Sequence, residues 1–158
     1  MKKLKLYLDT TIWNFPFADD APQFQSATLE FFEQVRWGRF EVFVSEAVQA
    51  EIEPAPQDRK EMILTLWSEI SPAILEKNQE VERLSKLYLK RGALPTRSVA
   101  DATHVAFATV YGMDALLTWN MDHLAHLGRR NRLLGLNFEE GYGTGLQITT
   151  PLEVIGNE

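Results

Sequence analysis

Leu4, Leu6 and Leu8 alternate with Lys3, Lys5 and Tyr7, the period-two pattern of a strand with two unlike faces. That strand closes on Asp9. The two threonines after it open TIWNFPFADDAPQF, a stretch rich in aromatics and turn formers that reads as a loop or short irregular helix. Phe24, Ala27, Phe31 and Val35 then recur at helical spacing, and Gly38 marks a helix stop. FEVFV, from Phe40 to Val44, is an apolar run of strand length. Ser45 is a suitable N-cap for a helix SEAVQAEI, which must end near Pro54.

Residues 58–68 and 79–90 carry two more amphipathic helical patterns, the second closed by Gly92. RSVADATHVAFATVYG predicts a helix with Ser98 as its cap and Gly112 as its stop. DALLTW reads as a short strand, followed by a short helix from about Met121 to Leu127. GRRNRLLGLNFEEGYGTG reads as a loop, and LQITT as a last strand ended by Pro151. Strands thus alternate with helices, which predicts an α/β sandwich with a mostly parallel sheet, in one domain spanning residues 1–158. No repeat, low-complexity tract or linker interrupts it.

Composition narrows the picture only a little. The hydrophobic share of 45% and the charged share of 24% are ordinary globular values. The absence of cysteine excludes a disulfide scaffold and a thiolate metal site. MKKL resembles the charged end of a signal peptide, but Asp9 interrupts the apolar region that should follow. No apolar run approaches the roughly 20 residues that span a bilayer. The sequence therefore predicts a cytoplasmic protein without a membrane partner. The net charge of −6 counts mildly against a nucleic-acid binder, although bound cations offset an acidic site in a nuclease.

The placement of the acids adds more. Ligand sites in open parallel sheets gather at the carboxyl ends of strands. Asp9 follows the first strand, Glu46 and Glu51 lie on the helix after the second, and Asn120 and Asp122 follow the third. Asp101 opens a helix among apolar neighbours, where a carboxylate must be paired, hydrogen-bonded or on a metal. Acids that converge repel one another, and the strand ends supply no matching set of Lys or Arg. A hard divalent cation, Mg²⁺ or Mn²⁺, meets that need. Each acid also has a plainer reading. Asp9 is equally a turn or cap residue, Asp101 a first-turn acid favoured by the helix dipole, and an isolated helical glutamate is usually solvated.

In this order the residues resemble the PIN-domain family, and within it the VapC-type toxins. LYLDTTIW is similar to the family's opening strand, with an acid followed by a small hydroxyl residue. VSEAVQAEI resembles the second motif, whose glutamate matches Glu51 rather than Glu46. VADATHVAFATVYGMDALLTWN resembles the third and fourth motifs, and LQITTPLEV the closing strand. The resemblance implies a three-layer α/β/α sandwich and a ribonuclease whose acidic cluster binds one or two Mg²⁺ or Mn²⁺ ions. Carried over by position, Asp9, Glu51 and Asp101 are metal ligands, directly or through water, and Thr11 and Thr118 support them. The departure is at the fourth motif, where TWNMD places neutral Asn120 at the family's acid. An amide oxygen ligates a hard cation but supplies no charge and no base. Asp122 either takes over that place or is a solvated residue.

Other features are less specific. His104 falls one helical turn after Asp101, where packing or hydrogen bonding is a better account than metal ligation, since hard cations prefer oxygen. His123 and His126 are read on the short helix, at the surface. GRRNR offers Arg129, Arg130 and Arg132 to RNA phosphates, or is a solvated loop. Trp13, Phe15 and Phe17 either stack on unpaired bases or close a core. GYGTG lacks the Lys-Ser/Thr of a phosphate-binding loop and reads as a turn.

The expectation is therefore a Mg²⁺- or Mn²⁺-dependent endoribonuclease acting on RNA phosphodiesters. The resemblance extends it to the toxin of a toxin–antitoxin pair, with an antitoxin covering the site and a homodimer as its assembly. The competing expectation is a PIN-like module, weakened or silenced at Asn120, that binds RNA or a protein partner. A small-molecule hydrolase using the same acids is a third class.

Overall fold

The computed structural model describes residues 2–156. Its frame is a sheet of β1 (Leu4–Leu8), β2 (Phe40–Ser45), β3 (Ala73–Leu75), β4 (Ala115–Leu117) and β5 (Gln147–Thr149), in the order β3-β2-β1-β4-β5. Each pairing between neighbours is parallel. The expected α/β class holds, with a sheet that is parallel throughout. β1 is central, and the chain builds outward from it first on one side through β2 and β3, then on the other through β4 and β5.

Both faces of the sheet are covered, as a parallel sheet with helical crossovers requires. Leu6, Tyr7 and Leu8 are all fully buried although successive side chains point to opposite faces. On the leucine face, Phe40 lies in register with Leu4 and stacks on Phe31 of α2 (Pro22–Arg36). On the tyrosine face, the ring of Tyr7 stacks at 6.3 Å on Phe107 of α6 (Val99–Val110). This is the three-layer arrangement. Each fully buried leucine or isoleucine of this core contributes roughly 1.5–3 kcal/mol by leaving water.

Several local expectations are met. Ser45 caps α3 (Glu46–Ile52), its Oγ accepting the N–H of Ala47 at 3.2 Å. The two further helical patterns form α4 (Gln57–Ile70) and α5 (Gln79–Lys90), and α5 buries Val81, Leu84 and Tyr88 along one stripe. α6 ends at Gly112, whose φ of +70° suits glycine and few other residues. Ser98 stands at the cap position of α6 but makes no side-chain cap bond.

Of the two readings of the stretch after Asp9, the short irregular helix holds, as α1 (Thr10–Asn14) and a 3₁₀ turn, Phe15–Phe17. Other expectations are corrected. β3 is an edge strand absent from the sequence reading, because its three residues are too few to show alternation. The expected helix from Met121 to Leu127 is a run of turns, and the expected loop after it is α7 (Leu127–Glu139). Gly128 and Gly135 each weaken a helix by about 1 kcal/mol, which hid the pattern. Packing overrides them. Leu133 and Leu136 are buried, and Asn137 donates to Thr109 and accepts from Tyr88 in the interior.

Candidate active site

Asp9 continues the ladder beyond β1, its N–H reaching the Leu117 carbonyl at 3.2 Å, and it caps α1. Its Oδ1 accepts the Thr11 N–H at 3.0 Å and the Thr11 hydroxyl at 2.5 Å. The Thr11 Oγ1 in turn accepts the Trp119 N–H at 2.9 Å. Asp9 is only 3% exposed. Burial pushes its carboxyl above the ordinary aspartate value and the charge of Asp101 adds to this. His104 and the hydroxyls of Thr11 and Thr118 pull it down without cancelling the rise.

Asp101 projects from the first turn of α6, where a carboxylate suits the helix dipole. Its Oδ2 accepts from Asn120 Nδ2 at 3.2 Å. Burial raises this carboxyl too, Glu51 repels it, and His104 and His123 oppose them. Asn120 is itself fixed by its N–H, which donates to the Thr118 hydroxyl at 2.9 Å, and by its carbonyl, which accepts from Leu124 and Ala125.

Glu51 is differently placed. Its Oε1 accepts the Thr10 hydroxyl at 2.6 Å and lies 2.6 Å from His104 Nε2. Burial pushes Glu51 up, but the hydrogen bond and charge of His104, with the Thr10 bond, outweigh it and hold the carboxyl below its ordinary value. His104 is 2% exposed, and its Nδ1 lies 2.7 Å from the Tyr7 hydroxyl, which is 2.7 Å from Ser45 Oγ. Burial alone lowers an imidazole. Here Glu51, Asp9 and Asp101 reverse the sign, and His104 is raised. Burial drives the Tyr7 phenol upward, so it stays a neutral hydrogen-bonding group.

Asp9, Asp101, Asn120 and Glu51 thus share one end of the sheet with Thr11 and Thr118, coupled through bonds and charge. Glu46 turns away to accept the Lys77 N–H at 3.1 Å. Asp122 is exposed in the turns beyond Asn120. In the basic segment, now helical, Arg129 donates to His123 Nδ1 at 3.0 Å, Arg130 donates to the Ile148 carbonyl at 3.1 Å, and Arg132 is exposed. Trp13 is fully buried between Phe32 and Trp67, and Phe15 packs on Phe24 and Trp119, so these rings serve the core rather than a base-stacking surface.

Sequence reasoning did not single out Tyr7 and Thr10, and it read Ser45 only as a helix cap. The available signal was positional: Tyr7 shares a strand face with Asp9, and Thr10 is its neighbour.

The donor chemistry suits a hard cation at two of the acids. Asp9 and Asp101 are oxygen donors whose charge is opposed, among the described residues, only by His104 and, at Asp101, by His123. A cation beside them would relieve the rise that burial causes. As the side chains stand, however, no three His, Asp or Glu groups among the described residues converge to hold a metal together. Glu51 is the one drawn aside.

No family model matches the sequence, and no curated protein matches it. Among solved structures, the chain is similar to VapC20 of Mycobacterium tuberculosis, described as a toxin that cleaves the sarcin-ricin loop. The similarity covers 88% of this chain and 97% of that one, with a TM-score of 0.54 and 13% sequence identity. The fold is therefore that of the VapC-type PIN proteins.

Proposed function

We propose that this chain is a metal-dependent endoribonuclease. The observation that carries the reading is a pair of carboxyls, buried Asp9 at the carboxyl end of the central strand and half-buried Asp101 on the first turn of α6, both raised by desolvation, in a PIN-like fold. Their oxygens would hold Mg²⁺ or Mn²⁺. Bound there, the cation supplies a Lewis acid that lowers the pKa of water and stabilises charge on the leaving oxygen of a phosphodiester.

The chain's own residues prepare that place. Thr11 fixes Asp9 with two hydrogen bonds to one oxygen, and the Thr118 hydroxyl acts on the same carboxyl. Thr118 sets the backbone of Asn120, which in turn orients Asp101 through its amide. Arg132, exposed on α7, and Arg129, which donates to His123, would be the groups to meet the phosphates of an RNA strand. Asp122 is assigned no direct part.

VapC20 is described as cleaving the sarcin-ricin loop, which makes structured RNA the first substrate class to try. The reading extends to a toxin held in check by an antitoxin, whose arginine would pair with the acids, and to a cytoplasmic homodimer. No described helix is long and apolar enough to cross a membrane.

The test is cleavage of a panel of single-stranded and structured RNAs, a sarcin-ricin hairpin among them, with Mn²⁺ or Mg²⁺. Asp101→Asn and an EDTA control run beside wild type. Cleavage that needs metal and disappears in the variant supports the nuclease. Well-folded protein inert with both metals favours the second reading, a module that binds RNA or protein without cutting. One observation favours that alternative: Asn120 brings no charge and spends its amide on Asp101.

A further inference from the structure

Behind the acids runs a closed circuit of hydrogen bonds. It passes from Ser45, the cap of α3, to Tyr7 on β1, to His104 on α6, and back to α3 at Glu51. Thr10, the neighbour of Asp9, joins it at the same Glu51 oxygen. The proton order is simple when His104 is neutral. Ser45 donates to Tyr7, Tyr7 to Nδ1, and Nε2–H to the Glu51 carboxylate.

We propose that His104 is a positioning residue that keeps Glu51 from the cation, so that one divalent ion binds at Asp9 and Asp101, while Glu51 braces the site. The inference rests on the metal-dependent reading above and narrows it.

Geometry supports the assignment in three ways. The Glu51 Oε1 already accepts two donors at 2.6 Å each, and bonds to an ionised acceptor are the strong kind. His104 is not free to release it, being 2% exposed and fixed at its other nitrogen by fully buried Tyr7. Moving that oxygen onto a metal would leave a buried imidazole N–H unpaired, which interiors rarely tolerate. Finally, no third His, Asp or Glu group among the described residues converges with the two aspartates as they stand.

The decisive experiment titrates the whole chain with Mn²⁺ and reads free ion by electron paramagnetic resonance, which counts bound ions without reference to cleavage. Wild type is expected to take one ion. Asp101→Asn should weaken binding about tenfold or more, and Glu51→Gln by no more than about threefold. His104→Leu, which removes the donor and frees Glu51, should tighten binding severalfold, an effect that a purely structural histidine would not give. Two ions on wild type overturn the proposal, as does a Glu51→Gln loss equal to that of Asp101→Asn. If His104→Leu does not fold, the ion count on wild type still decides. Wild type that binds no Mn²⁺ at all overturns the metal-dependent reading itself and this inference with it, so the two failures are separable.

Discussion

The Thr11 hydroxyl donates to Asp9 Oδ1 at 2.5 Å and accepts the backbone N–H of Trp119 at 2.9 Å, so one oxygen atom ties together the ends of two neighbouring strands. Removing it leaves a Trp119 N–H unpaired and deprives a buried carboxylate of a donor. Thr11→Val is expected to cost about 1–3 kcal/mol, and Thr11→Ser, which keeps the hydroxyl, much less. Urea unfolding of the two variants compares them directly.

Stability should fall as pH rises when no metal is bound. Asp9 and Asp101 titrate above the ordinary value of 3.8, so the folded state keeps protons that the unfolded chain has released. Their contribution declines from that value upward, through their folded values. His104, raised above 6.5, contributes fully below 6.5 and loses its part as pH climbs through its folded value. Glu51 has the opposite sign. Held below 4.5, it contributes above 4.5 and is lost as pH falls through its folded value. In EDTA, the urea midpoint should therefore be higher near about pH 5.5 than near about pH 8. A midpoint that rises across that interval would contradict this balance.

Asp101→Asn should stabilise the metal-free protein while abolishing cleavage. The amide keeps an acceptor for Asn120 and removes a charge that burial disfavours, a gain of about 1 kcal/mol. Thermal unfolding in EDTA reads the sign, and Mn²⁺ should reverse the ranking by stabilising wild type more.

Asn120→Asp should do the reverse. A third carboxylate beside Asp101 replaces a hydrogen bond with repulsion, lowering metal-free stability by roughly 1–2 kcal/mol. The same change should strengthen Mn²⁺ binding. Unchanged affinity would show that position 120 does not face the ion.

Leu133→Ala tests α7. Its fully buried side chain predicts a loss of about 2–4 kcal/mol. A surface loop at this position would tolerate the change within about 0.5 kcal/mol.

The sequence was most legible where one physical signal dominated. β1 showed its alternation, Ser45 its capping role, and Gly112 the end of α6. The order of acids along the chain pointed to the fold that the structure has. What was hidden depended on partners distant in sequence. Glu51 looks like any helical acid until His104, far along the chain, is seen 2.6 Å away. α7 reads as a loop because its glycines and arginines set the local propensity, whereas its buried leucines and Asn137 act only against the packed interior. The basic run looked like three equivalent arginines. The structure engages Arg129 and Arg130 and leaves Arg132 exposed.

The central place of β1 has a consequence for biosynthesis. Leu6 pairs on one side with Val42 and on the other with Ala115, so its second neighbour is translated long after its first. A nascent chain stalled before β4 carries Asp9, Glu51 and Asp101 but lacks the strand that seats Asp9 and the Asn120 that orients Asp101. If the assembled end of the sheet cuts RNA, cutting must wait until β4 and Asn120 have been made and packed against β1.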